Sequence, residues 1–188
     1  MSKLLYSILF HNKELCAHRQ RSASTGIDNR QMITTLITMK QWVFLAEFMR
    51  EKPDYTTRYI DVVERGQKMK RLPIHQICRH KPPLDLIKIV VSAYPISLAM
   101  KDPHNGSTAL HFACRFGASE EVIQYLLRKY PDAANIENKY GCTPVMLARR
   151  GSYKHKDAII RLFDNLHLDE DDEEFCSKRC YSVCARSA

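Results

Sequence analysis

Apolar residues recur at helical spacing in four stretches of the chain. In the clearest stretch, Val122, Ile123, Leu126 and Leu127 fall on one side of a helix, with polar residues between them. This is the pattern of an amphipathic helix that buries one stripe. The other three stretches lie within residues 42–49, 84–91 and 158–163.

The ends of two helices can be predicted around this stretch. Thr108 can cap a short helix over residues 109–116 with its hydroxyl, and Gly117 can adopt the left-handed conformation that ends it. Ser119 is placed to cap the next helix, and the Tyr130-Pro131 pair stops it because proline cannot continue a helix. The sequence therefore predicts a unit of two helices.

This unit is repeated along the chain. The segment LPIHQIC at residues 72–78 recurs as TALHFAC at 108–114 and as TPVMLAR at 143–149. The first two copies begin 36 residues apart and the last two 35 residues apart. The Tyr-Pro pair keeps the same period, since Pro95 and Pro131 are 36 residues apart. A fixed period of this length is typical of stacked helical repeats.

The repeated segments resemble the ankyrin repeat, in which the first helix opens with T-P-L-H-x-A. The YPDAA stretch at residues 130–134 is similar to the Y-P-x-A-A variant of ankyrin proteins in unicellular algae. The resemblance implies an all-α fold, a solenoid of about three to four stacked helix-turn-helix units. It also implies a non-catalytic scaffold or adaptor for protein–protein interaction.

The repeats divide the chain into three predicted parts. An apolar stretch over residues 42–49 indicates a degenerate repeat before the three clear ones, followed by an insert of about six residues in a basic loop near residues 61–71. Its predicted helical face consists of Trp42, Val43, Leu45, Ala46, Phe48 and Met49. The predicted parts are a loose or short-helical segment 1–31, a repeat domain 32–163 (repeats 32–71, 72–106, 107–141 and 142–163) and a tail 164–188.

Three arginines follow the repeat period: Arg79, Arg115 and Arg150. The resemblance places this position at the end of the first helix, on the concave binding surface. We call the three residues the arginine ladder, and we expect it to bind an acidic segment of a partner protein, because guanidinium groups pair well with carboxylates. The alternative is that arginine is only a soluble residue favoured at an exposed helix end.

The other predicted partner contacts lie beside the ladder or at the turn tips, and none of them is expected to act in catalysis. The full predicted set is Arg79, His80, His104, Asn105, Ser107, Arg115, Phe116, Lys139, Tyr140 and Arg150.

The charge of the chain is segregated. The formal net charge of the 188 residues is +8, yet residues 164–174 contain seven acidic residues and no Lys or Arg. We expect a solvated tail there, or one whose residues 169–174 fold back over the ladder when no partner is bound.

The basic body leaves a nucleic-acid-associated protein as a less favoured alternative, because its Lys and Arg are scattered. No stretch is apolar and long enough to predict a transmembrane helix.

Seven unevenly spaced cysteines do not form a disulfide framework, so we expect a cytoplasmic or nuclear protein. An organellar targeting signal within residues 1–31 is less favoured. We expect Cys142, on a turn, to be exposed. Cys176, Cys180 and Cys184 leave open a thiol or metal protein.

Two histidines and two cysteines occupy equivalent positions in successive repeats. The resemblance implies that His75 and His111 form structural hydrogen bonds, because the equivalent histidine of ankyrin repeats ties its turn to the neighbouring one. No second metal ligand lies at suitable spacing near either residue. Cys78 and Cys114 are predicted to be small buried apolar residues. We therefore predict no catalytic residue, cofactor or metal site. We also expect the chain to be a monomer.

Overall fold

The computed structural model describes residues 28–64 and 66–164. Within these ranges the chain forms eight α-helices, three 3-10 helices and one β-hairpin. The helices are α1 Asn29–Thr38, α2 Trp42–Glu51, α3 Pro73–Arg79, α4 Leu84–Ala93, α5 Ala109–Phe116, α6 Glu120–Lys129, α7 Pro144–Arg150 and α8 Lys156–Asp164. The strands are β1 Ile60–Glu64 and β2 Gln67–Arg71, and the 3-10 helices are Pro53–Thr56, Pro95–Leu98 and Pro131–Asn135.

The helices stack in two parallel rows. In one row α3 packs against α5 and α5 against α7, and in the other α2, α4, α6 and α8 pack in sequence order. Their buried stripes form one continuous core that extends from Ile33 in α1 to Phe163 in α8. Each unit thus buries its apolar face against its neighbours. The predicted helical repeat solenoid is confirmed.

The helices of the central repeat, residues 107–141, begin and end where the sequence predicts. Helix α5 spans residues 109–116, and Gly117 follows it with a left-handed φ of 66°. A side chain at Gly117 would also collide with the ring of Tyr153, at 2.6 Å. Ser119 precedes α6, and Tyr130 is the residue that ends it, just before Pro131.

The predicted basic loop near residues 61–71 is wrong, because this segment forms an antiparallel hairpin. Ile60 and Val62 are buried while Asp61 and Val63 are exposed, so β1 has the alternation of a half-buried strand. Gly66, with a φ of 76°, supplies the positive φ that a two-residue turn needs. Within the described residues, the fold is helical apart from this hairpin.

Two other expectations about burial are wrong. Val43 is 77% exposed, because it lies about 200° around α2 from the buried Leu45. Cys142 is 1% exposed, because its side chain packs against Leu147 and its carbonyl oxygen accepts a hydrogen bond from His111. A turn position at a repeat boundary can therefore be buried by contacts with its own repeat and with the preceding one.

Candidate functional site

The three arginines of the ladder lie in the last turns of successive helices. Arg79 is the last residue of α3, Arg115 is the penultimate residue of α5, and Arg150 is the last residue of α7. Because these three helices pack side by side, their ends follow one another along the same row. Each arginine also suits the negative end of its helix dipole.

Two of these arginines share one aromatic ring. The guanidinium carbon of Arg79 lies 4.7 Å from the centroid of Phe116, and that of Arg115 lies 5.7 Å from it. Burial, and then the charge of Arg115, lower the pKa of Arg79 below its ordinary value. Like charges held this close repel each other, so a bound anion would be stabilised by both.

A cleft of about 380 Å³ opens beside these two arginines. The hairpin lines one wall through Gln67 and Met69, and the ends of α3 and α5 line another. Phe112 and Phe116 contribute apolar surface, with stacked rings whose centroids are 6.5 Å apart. The cleft therefore combines an aromatic surface with a basic edge, which suits recognition of an acidic protein segment.

Glu64, at the end of β1, already places a carboxylate on this basic edge. Its Oε1 accepts a hydrogen bond from Arg71 at 2.6 Å and another from Nη1 of Arg79. The ion pair with Arg79 is part-buried, since 29% of the Arg79 side chain and 20% of the Glu64 side chain are exposed. Arg79 thus holds a carboxylate of the chain itself. Sequence reasoning missed Glu64.

Arg71 fixes the hairpin to the repeats and was also missed. Its side chain is 1% exposed, and its Nε donates to the buried carboxylate of Asp102 at 3.1 Å. Nη1 donates to Gln76 at 2.9 Å, and the guanidinium lies 4.7 Å from the ring centroid of Phe112. A buried arginine needs such partners to offset its desolvation. The only signal in the sequence was the alternation of Ile60 and Val62, which predicts β1 but no partner for Arg71.

Comparison with protein families identifies the repeats. A family model described as ankyrin repeats (three copies) matches residues 74–172, which is more than half of the chain. The chain belongs to the ankyrin repeat family. Ankyrin repeats indicate a protein–protein interaction module, and the family is typically non-catalytic. A search of curated proteins found no match.

Most of the predicted contact residues of this ankyrin repeat chain come together in the cleft. His80 instead lines an adjoining cavity of about 550 Å³, which Arg79 and Glu64 also line. Lys139 and Arg150 are not among the residues that line the cleft. The predicted residues that line it are Arg79, His104, Asn105, Ser107, Arg115, Phe116 and Tyr140.

The turn tips of the ankyrin repeats are tied to each other. Nζ of Lys139 donates to the carbonyl oxygens of Pro103 at 2.6 Å and His104 at 3.1 Å, and its backbone N–H donates to Asn105. Ser107 is buried, and its N–H donates to the Asn105 side chain. These bonds hold His104 and Asn105 at the edge of the cleft. Nη1 of Arg150 lies 4.0 Å from Sγ of Cys142.

His75 and His111 form the structural hydrogen bonds that we predicted. Nε2 of His75 lies 3.0 Å from the carbonyl oxygen of Met100, and Nε2 of His111 lies 3.0 Å from that of Cys142. Each ring thus connects its own helix to the following turn. Burial lowers the pKa of both rings to about 4, so they are neutral near pH 7.

The expected burial of two cysteines is confirmed. Cys78 and Cys114 are buried, and burial raises the pKa of Cys78 to about 12 and that of Cys114 further still.

Within residues 28–64 and 66–164, no group of three or more His, Cys, Asp or Glu is arranged to hold a metal ion. None of the helices in these ranges is long and apolar enough to cross a membrane. Predictions about segment 1–27 and about the acidic and cysteine-rich tail lie outside the described residues.

Proposed function

We propose that this ankyrin repeat chain is an adaptor whose cleft binds an acidic segment of a partner protein. The observation that carries the proposal is the pair of guanidinium groups, Arg79 and Arg115, held against the single ring of Phe116. The ring orders both cations at the edge of a cleft with aromatic surface, so carboxylates could bind there without a large loss of side-chain entropy.

The contact between Glu64 and Arg79 supports the choice of a carboxylate as ligand. One cation of the pair already bonds a carboxylate, while Arg115 forms no ion pair with a described residue. A partner carboxylate would therefore meet Arg115 first. In this proposal the chain acts as a monomer in the cytoplasm or nucleus.

A direct binding assay tests the proposal with the full chain. The probe is a labelled octapeptide, LDEDDEEF, which reproduces residues 168–175, and its matched control is LNQNNQQF, in which every carboxylate is an amide. Arg115→Glu, which leaves the Glu64 contacts intact, is expected to weaken probe binding by at least about tenfold, because a charged hydrogen bond contributes about 1.5–3 kcal/mol.

Control substitutions separate local recognition from overall charge. Arg128→Glu and Arg149→Glu make the same charge change at exposed helix ends and should leave probe affinity within about twofold. Equal losses in all three variants would reject the cleft as the site. A DNA duplex that binds more tightly than the probe, with a steep salt dependence, would favour the nucleic-acid alternative.

A further inference from the structure

The outer edge of β2 is open beside the cleft. In the described part of the chain, β1 is the only element that packs extensively against β2, whereas β1 itself also packs against α1. Gln67, Met69 and Arg71 line the cleft, and Lys68 and Lys70 are exposed. An open strand edge presents backbone donors and acceptors that another extended segment can use.

The register of the hairpin shows which backbone groups face outward. Glu64 pairs with Gln67 across the two-residue turn, so this pair and Val62 with Met69 are the hydrogen-bonded pairs. Asp61 and Lys70 therefore form a pair whose backbone groups point away from the hairpin. The Asp61 carbonyl confirms this orientation, because it accepts a hydrogen bond from Thr34 of α1 at 3.1 Å.

The same rule applies to the other edge. The N–H and C=O groups of Lys68 and Lys70 point outward from β2, toward a side against which no described element packs extensively. Neither lysine forms an ion pair with a described residue. The strand is held in place by the buried Arg71 at its end. This edge is therefore basic, and both of its lysines are exposed.

We propose that the acidic partner segment binds in an extended conformation and adds a third strand to the hairpin along β2. Its backbone pairs with Lys68 and Lys70, about 4.8 Å from β2. Its side chains then alternate between two basic surfaces, the outer face with the two lysines and the cleft with Arg79 and Arg115. A run of consecutive carboxylates fits this arrangement, because Lys68 and Lys70 outnumber Asp61 on the outer face and the arginines outnumber Glu64 in the cleft. The inference rests on the proposed function and specifies how the ligand is bound.

A different explanation exists for the two lysines. Exposed lysine on an edge strand protects a sheet from pairing with other chains. That role needs only the side-chain charges, whereas strand addition also needs the backbone N–H groups. The two explanations can therefore be separated by measurements on the backbone.

Hydrogen exchange at single amides of the full chain provides this measurement. Saturation with LDEDDEEF is expected to slow exchange of the Lys68 and Lys70 amides by at least about tenfold, because bonded amides exchange only through local opening. The amides of Gln67 and Met69, already bonded to β1, serve as the internal control. Binding that leaves the Lys68 and Lys70 amides unprotected would overturn strand addition while leaving the proposed function intact.

Substitution gives an independent test. Lys70→Pro removes one outward N–H, which an edge strand tolerates, and it is compared with Lys70→Ala, which removes the same charge. We expect the proline variant to bind the octapeptide about fivefold more weakly than the alanine variant, since one backbone bond contributes about 1 kcal/mol. Equal affinities of two folded variants would overturn strand addition. If the Lys68 and Lys70 amides are already protected in the unliganded chain, one of the chain's own segments occupies this edge, and strand addition by a partner is overturned.

Discussion

The central repeat, residues 107–141, differs from its two neighbours in one hydrogen-bonded pair of residues at the start of its first helix, a threonine and a histidine. In the central repeat, Nδ1 of His111 accepts from the N–H of Thr108 at 3.1 Å and lies 2.8 Å from its hydroxyl. In the preceding repeat, Leu72 takes the place of the threonine, and Nδ1 of His75 has no partner among the described residues. In the following repeat, Met146 takes the place of the histidine.

The last repeat, residues 142–163, shows the reverse loss. Thr143 keeps the capping position before α7, but its buried hydroxyl has no hydrogen-bond partner among the described residues. The hydrogen-bonded pair thus needs both the threonine and the histidine, and each neighbour of the central repeat contains only one of them. The start of the first helix is therefore held by local polar bonds in the central repeat, whereas in the neighbouring repeats it depends more on packing.

Acidification gives the largest expected effect, because it acts on both histidine rings. Burial lowers the pKa of His75 and His111 to about 4, from about 6.5 in the unfolded chain. The unfolded state therefore binds more protons between these values, so stability falls as the pH drops. Between pH 7 and pH 5 we expect a loss of about 2 kcal/mol for each ring, measured by urea unfolding.

Replacing one ring at a time sharpens this prediction. His75→Met and His111→Met, which use the residue naturally present at position 146, should each remove about half of the pH dependence that the rings produce. A variant that keeps the full dependence would show that its ring is already accessible to protons in the folded chain.

At neutral pH the same two variants should lower the free energy of unfolding by different amounts. His111→Met leaves the N–H of Thr108 and the carbonyl oxygen of Cys142 without their partner, which we expect to cost about 3 kcal/mol. His75→Met loses one bond, to the Met100 carbonyl oxygen, and should cost about 1 kcal/mol. Equal costs in thermal or urea unfolding would contradict the difference between the repeats.

Restoring the missing hydroxyl in the first clear repeat sets two effects against each other. Leu72→Thr gives Nδ1 of His75 a partner, worth about 1 kcal/mol, but replaces a fully buried leucine, which costs about 2 kcal/mol. We expect a net loss of stability of about 1 kcal/mol. A double-mutant cycle with His75→Met isolates the new bond as a coupling of about 1 kcal/mol. A coupling near zero would mean that the new threonine hydroxyl does not bond to Nδ1 of His75.

Much of this fold could be predicted because its signals are local and periodic. Thr108, Gly117 and Pro131 act on their own helix ends, so they can be interpreted without tertiary information. The hairpin was missed because β2 has one buried residue, Arg71, and no alternation of apolar residues. The burial of Arg71 depends on Asp102, which is 31 residues away in the sequence.

The candidate site was predictable to a similar degree. The spacing of the ladder placed Arg79 and Arg115 in equivalent helix ends, but their common contact with Phe116 depends on how α3 and α5 pack. The carboxylate of Glu64 reaches Arg79 because the end of β1 lies beside the end of α3. Such contacts between units cannot be derived from the period of the repeat.

The smallest effect is expected when a histidine replaces Met146 in the last repeat. Met146 is partly exposed, so its replacement loses little buried surface. Met146→His places a ring three residues after Thr143, the spacing of Thr108 and His111, and Nδ1 can accept from the Thr143 hydroxyl. We expect a gain of about 0.5 kcal/mol in the free energy of unfolding at pH 7.5.

Met146→Leu is the control, because it changes packing without supplying an acceptor. The gain from histidine should disappear in the Thr143→Val background, where the hydroxyl is absent, and should shrink at pH 5, where an exposed ring is protonated and Nδ1 can no longer accept. A gain of the same size in both backgrounds would show that the ring acts through packing, and that the polar unit of the central repeat cannot be transferred to its neighbour.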